Sequence, residues 1–258
     1  MATSIPRLHP RIRLQAGILP LLFSAALLLG SRPAHAQKSL QDYVQPTLKD
    51  LSASVNVLSH KDDELRKIGA GYVDAYTLTD REIFFREPGQ ARLQGKKGVL
   101  TIRYVTNGGK RLTEVPSLRV RKVEDIADEP GKGDSISDIG VITANWVSRV
   151  ESRWIRSEER NGKTLQVFEF WYSDDPKAKN TVWLDPASKT IVERIAHHRN
   201  RSKPGFKKRI VFSDVKTVNG VQVPTRATLF SGDNKQAAQV SYERIKVNAG
   251  LADSLFKI

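Results

Sequence analysis

Apolar positions near the start of the chain recur at helical intervals: Leu40, Val44, Leu48, Leu51, Val55 and Leu58 are separated by four, four, three, four and three residues. That spacing places them on one stripe and predicts an amphipathic helix, kinked at Pro46 or beginning there, because proline has no amide hydrogen to give the preceding turn. Asp62, Asp63 and Glu64 ahead of Leu65 and Ile68 predict a short second helix, with acids at its electropositive end and Gly69 and Gly71 closing it.

Beyond Tyr72 the texture changes to short runs of β-branched and aromatic residues separated by turn residues, which predicts strands. Ile83-Phe84-Phe85 meets Glu87-Pro88-Gly89, residues 99–105 meet Asn107-Gly108-Gly109, and residues 165–172 are entered through Asn161-Gly162. Asn-Gly suits the tight hairpin turn that needs two residues of positive φ. Further strands are expected at 182–184, 191–196, 210–212, 221–230 and 237–247. A short helix over 143–150, capped by Thr143, would carry Trp146 and Val150 on one face, after a glycine- and acid-rich loop over 128–138. Several strands are apolar on both faces: Phe168 and Phe170 alternate with Val167 and Trp171. A sheet wetted on one side would alternate with polar residues, so both faces are expected to be covered, one by packing and one by helices or a ligand cavity.

The first 36 residues read as an export signal. Arg7, Arg11 and Arg13 precede the apolar stretch 16–30, which leads to Ala34-His35-Ala36. That stretch contains Pro20 and falls short of the roughly 20 apolar residues of a membrane-spanning helix. Cleavage is expected after Ala36, leaving residues 37–258 as a single periplasmic domain. Removing the signal takes Arg7, Arg11, Arg13 and Arg32 and no acid, so the net charge falls from +14 to +10. With no cysteine, neither a disulfide nor a thioether-linked lipid is available, and the domain must fold on its core alone.

Candidate chemistry is sparse. Gly133-Asp134-Ser135 is similar to the nucleophile block of one esterase family, but no Asp-x-x-His follows to supply a base and its orienter. Neither a Gly-x-Ser-x-Gly elbow nor a phosphate-binding glycine loop occurs. His197 and His198 are adjacent and would point to opposite faces of a strand, which is poor geometry for one metal. No cofactor is expected, and no enzyme. Residues 194–209 carry seven basic residues and no acid around a Ser-Lys-Pro-Gly turn. Arg199, Arg201, Lys203, Lys207 and Lys208 are candidates for contact with an anionic surface, against the plain alternative of a solvated hairpin end. For an exported protein that surface is lipid; nucleic acid is not expected.

Taken in order, several segments resemble the LolA-like family of periplasmic lipoprotein carriers and outer-membrane lipoprotein-sorting proteins. They are Glu87-Pro88-Gly89-Gln90-Ala91-Arg92-Leu93, the hairpin over 104–110, and Val182-Trp183-Leu184-Asp185-Pro186. Phe212-Ser213-Asp214 through Asn219-Gly220-Val221 to Val223-Pro224-Thr225 follows, and the closing segment runs from Val247-Asn248 through Leu251 to Asp253-Ser254-Leu255-Phe256. The resemblance implies an incomplete antiparallel β-barrel, mainly β with a helical lid, around an apolar cavity that shelters acyl chains. It also implies that the carriers' arginine before the proline, and a phenylalanine shortly after, help handle cargo; here Glu87 and Ala91 stand at those places.

The expected function is therefore a carrier or chaperone for a lipid-modified protein or amphiphilic lipid. It would be monomeric, in transient contact with inner- and outer-membrane components, with Phe84, Leu93, Ile102, Tyr104, Trp146, Phe168, Phe170 and Trp183 as candidate cavity residues. Two alternatives stay open: a sensing module that reports bound lipid or lipoprotein to a partner protein, and an exported hydrolase.

Overall fold

In the computed structural model, which describes residues 38–128, 137–199 and 205–258, a strand stands where the long N-terminal helix was expected. A single turn of 3-10 helix, Leu40–Tyr43, capped by Ser39, precedes strand β1 (Asp50–His60). Residues four apart share a face in a strand as they do in a helix, so Leu51 and Val55 fit both periods. Between them Leu51, Ala53, Val55 and Val57 alternate with Ser52, Ser54 and Asn56, and this period of two, with its valines, prevails. The signal segment 1–36, Gly133-Asp134-Ser135, Arg201 and Lys203 lie outside the described residues, which all fall within one unit, Gln37–Ile258.

Helix α1 (Asp62–Ile68) follows as expected, with Gly69 at its C-terminus. A second helix, α2 (Ala70–Tyr76), takes the place of the expected turn, and Gly71 lies inside it. The chain then makes β2 (Thr79–Arg86), β3 (Gln90–Lys97), β4 (Leu100–Asn107), β5 (Lys110–Val115) and β6 (Val120–Asp125). Helix α3 (Ala144–Val147) leads to β7 (Val150–Arg160), β8 (Lys163–Tyr172), β9 (Asn180–Asp185) and β10 (Thr190–His197). The last strands are β11 (Phe206–Val218), β12 (Val221–Ser231) and β13 (Gln236–Val247). No helix among the described residues is long and apolar enough to cross a bilayer.

All thirteen strands form one antiparallel sheet in the order β6-β5-β4-β3-β2-β1-β13-β12-β11-β10-β9-β8-β7. It is an open barrel-like sheet with the helices over one face, here called inner. Every neighbouring pair is sequential except β1 with β13, where Leu51 pairs with Val247 and Val55 with Tyr242. β6 and β7, consecutive in the chain, are the two edges, so the connection between them must pass from one side of the sheet to the other.

The described part of that connection fills one half of the inner face. Ile139, Val141, Ile142 and Trp146 are buried there, Val141 bridges to Thr190, and the Ile191 amide donates to the Gly140 carbonyl at 2.9 Å. Trp146 stands edge-on to Phe170 at 4.9 Å and donates its indole N–H to the Tyr172 hydroxyl at 3.2 Å, while Tyr43 stands edge-on to Phe168 at 5.7 Å. Gly140 makes the close approach possible: its φ is +84°, and a Cβ there would sit 2.9 Å from both Phe212 and Pro224. Gly140→Ala is therefore expected to cost about 2 kcal/mol or more, from the left-handed backbone together with overpacking. Chemical denaturation of the purified variant measures it, and an unchanged midpoint would contradict this packing.

The outer face is covered as well. Leu165, Val167 and Trp183 cluster there with the Arg160 guanidinium 4.6 Å above the Trp183 ring. Val105, Leu112 and Phe256 form another cluster, capped by a C-terminal 3-10 turn, Asp253–Phe256.

Candidate functional site

Beside the part of the inner face that the β6–β7 connection fills, α1 and α2 lie over the other half of the sheet, and a cavity remains beneath them, bordered by Asp138 and Ile139 of the connection. Its volume is about 510 Å³, within the range of small-molecule sites. The helices contribute Ile68, Tyr72 and Tyr76; β2 to β4 contribute Ile83, Phe85, Ala91, Leu93 and Tyr104; β11 to β13 contribute Ile210, Leu229 and Val240. The register explains the wall. Ile83 pairs with Leu93, which pairs with Tyr104, and Phe85 pairs with Ala91, which pairs with Thr106, so these side chains share one face.

Of the residues singled out from sequence, Leu93 and Tyr104 lie on this wall. Phe84 borders the cavity, but its cross-strand partner is Arg92, on the face of Val105, and it packs with the Val105, Leu112 and Phe256 cluster. Ile102 shares the inner face with Tyr104 but lies outside the lining. Trp146, Phe168 and Phe170 are wholly buried in the packed half of the inner face, and Trp183 is on the outer face. Tyr72, Tyr76 and Ile83 were not singled out, although the Tyr72–Tyr76 spacing of four is a helical signal.

The basic candidates separate. Arg199 is exposed and pairs with Asp175. Lys207 is exposed and borders the cavity. Lys208 instead turns inward: it pairs across strands with Ser231 and donates to the Tyr72 hydroxyl at 2.8 Å.

Lys208 belongs to a polar cluster at one end of the cavity. The Asp138 carboxylate lies 3.7 Å from Arg194 and 4.0 Å from Lys208, and the Asp138 carbonyl accepts from the Tyr242 hydroxyl at 3.3 Å. Tyr72 and Tyr76 stack at 6.4 Å, and the Arg81 guanidinium lies 5.0 Å from the Tyr76 ring centre. Burial pushes the Tyr76 phenol up to about 12 and raises that of Tyr242 further, so both stay protonated donors. Burial alone would depress Lys208, but Asp138 and Tyr72 more than offset it and the ammonium is held above its ordinary value. Arg81 is depressed by desolvation.

Helix α1 is tied down beside the cavity. Glu64 accepts from the Ser231 hydroxyl and from Lys67 at 3.0 Å, and Lys67 reaches Asp233 in the β12–β13 turn. The Ser231 hydrogen bond, then Lys67, holds the Glu64 carboxyl below its ordinary 4.5. A depressed carboxyl contributes stability above its unfolded value and loses it as pH falls through the folded one. Amide exchange over residues 62–68, corrected for intrinsic rates, is thus expected to stay slow at neutral pH and to rise as pH drops below 4.5, with Glu64→Gln removing that pH dependence. Constant protection across this range would show that the Glu64 contacts do not hold the helix.

At the two places where the resemblance led to arginine and phenylalanine, Glu87 and Ala91 do different things. Glu87 is half-buried, is hydrogen-bonded to Thr143 at the start of α3, and is raised by desolvation. Ala91 is buried on the cavity wall, where its small side chain leaves space. Among the described residues no group of three or more His, Asp or Glu is placed to hold a metal ion.

No protein-family model and no curated protein matches the sequence. Solved structures do match in fold. A DUF1329 family protein from Desulfovibrio piger superposes with TM-score 0.54 at 10% identity, covering 84% of this chain and 92% of that one. A LolA superfamily protein from Nitrosomonas europaea gives 0.54 at 13% identity, over 85% and 96%. A putative outer membrane lipoprotein-sorting protein domain from Vibrio parahaemolyticus gives 0.51 at 13% identity, over 84% and 93%. With its thirteen-stranded open sheet and helix-covered inner face, this chain has the LolA-like fold.

Proposed function

We propose that this protein is a non-enzymatic periplasmic carrier that shelters the acyl chain of a lipoprotein or another amphiphile beneath α1 and α2 for transfer to the outer membrane. The observation that carries the reading is the cavity: about 510 Å³, walled by Ile83, Leu93, Ile210, Leu229 and Val240, in a sheet whose other half buries Val141, Ile142 and Trp146. The fold it shares with a protein described as an outer membrane lipoprotein-sorting domain supports the same reading. So does the basic leader and apolar stretch at the start of the chain, which would place the protein in the periplasm.

The energetics suit a carrier. Burying a long acyl chain is worth about 0.8 kcal/mol per methylene, so a 16-carbon chain gains on the order of 10 kcal/mol before the losses of association are subtracted. That leaves room for retention through the aqueous space and for release to an acceptor of comparable apolarity. With Glu87 turned to Thr143, hand-over in this protein proceeds without an arginine at that place.

Mass spectrometry of an organic extract of the mature protein, purified from periplasm without detergent, tests the proposal. Stoichiometric acylated lipid, or co-purifying acylated protein, is expected. A clean protein that also fails to take up a fluorescent acyl probe would overturn it.

A further inference from the structure

A cavity built only for a hydrocarbon has no use for a buried guanidinium, yet Arg81 lies in this one. It is 8% exposed, lines the cavity, and pairs across strands with Val55 on the inner face. Its Nε and Nη1 atoms have no hydrogen-bond partner among the described residues. The acids that could pair with it are engaged elsewhere: Asp80 with Lys96, Glu82 with Gln94, and Asp138 with Arg194 and Lys208. The Tyr76 ring offers it a π-face and nothing that accepts from its N–H groups in line.

A buried charge without acceptors is costly, and natural interiors rarely leave one so. The surrounding charges point the same way. Arg81, Lys207 and Lys208 border the cavity, and among the described residues Asp138 is the sole acid in its lining, already shared between two cations.

We infer that the cavity's ligand carries an anionic head, a carboxylate or a phosphate monoester, which seats against Arg81 while its chain lies along Ile83, Leu93 and Leu229. This rests on the carrier reading and narrows it from any acyl chain to acidic amphiphiles. The head supplies the acceptors that Arg81 lacks, and the protonated Tyr76 phenol beside it is a further donor. Lys208, held by Tyr72 and Asp138, adds positive potential.

Three ligands of equal chain length separate the possibilities: palmitate, methyl palmitate and palmitoyl lysophosphatidic acid, titrated by displacement of a fluorescent acyl probe from the delipidated protein at about pH 8, where both acids are ionised. Palmitate or the lysophosphatidate is expected to bind at least about tenfold tighter than the ester, as charge-assisted hydrogen bonding allows. Whichever acid binds tighter identifies the head as carboxylate or phosphate. Arg81→Met should bring acid and ester to within about threefold, with ester affinity retained, and Arg81→Lys should restore part of the preference. Equal affinity of acid and ester in the unaltered protein overturns the inference and leaves the carrier reading standing, and no variant needs to fold for that comparison. A preference that survives Arg81→Met also overturns it. Failure of all three ligands to bind would sink the carrier reading and this inference together.

Discussion

Trp146→Ala is expected to destabilise the fold by about 3–5 kcal/mol, lowering the thermal midpoint by roughly 10 °C, with no selective loss of ligand. The indole is wholly buried, stands edge-on to Phe170 at 4.9 Å and donates to Tyr172, so its removal leaves a void among side chains that cannot close over it. From sequence alone this tryptophan could equally have been part of a lid. A lid residue would behave oppositely, changing uptake while leaving the midpoint near its original value. Thermal unfolding followed by circular dichroism, with probe uptake measured on the folded fraction, distinguishes the two.

Ala91→Trp is expected to do the reverse, emptying the cavity while sparing the fold. Ala91 sits on β3 between Phe85 and Thr106, facing the cavity, and only its small side chain keeps that stretch of wall open. An indole there would displace about four methylenes of chain, about 3 kcal/mol, or roughly a hundredfold in Kd. The added ring enters existing space, so the thermal midpoint should move far less than in Trp146→Ala. Undiminished uptake by Ala91→Trp would mean that ligands bind elsewhere.

The contrast between these two positions shows what was legible in the sequence. The strands from 165 onward were plain, because each is bounded by a turn signal and buries at least one face: Asn161-Gly162 and Asn219-Gly220 both form tight turns with positive φ at both residues. Strands β6 and β7 were not, since they are the sheet edges and expose charged residues such as Arg153, Arg156 and Glu159 that carry little apolar period. The N-terminal misreading came from a spacing of four that helix and strand share, and Ser52, Ser54 and Asn56 held the answer. Helix α2 escaped notice because Gly71, Tyr72 and Val73 are weak helix formers, and the tie of α1 beneath it comes from tertiary contacts.

Assigning the cavity was harder still. Aromatic strand residues marked a doubly covered sheet, but which half stays open depends on where the β6–β7 connection lies, a long-range matter that no local period encodes. Phe168 and Phe170 face inward as truly as Leu93 does; they differ because Tyr43, Val141 and Trp146 are already packed on them. Arg81 was invisible for a related reason: an arginine within the strand Thr79–Arg86 becomes unusual only once its burial and its missing acceptors are known.

The central claim is that an acyl chain lies beneath α1 and α2, and photocrosslinking tests it most directly. A 16-carbon fatty acid with a diazirine near the chain's middle, bound to the protein and irradiated, would be mapped by peptide mass spectrometry. Adducts on the segments holding Tyr72, Tyr76, Ile83, Leu93 and Leu229 are the predicted result. Adducts confined to the outer face around Trp183 or to the exposed edge strand bearing Trp154 and Ile155, or none at all, would contradict it.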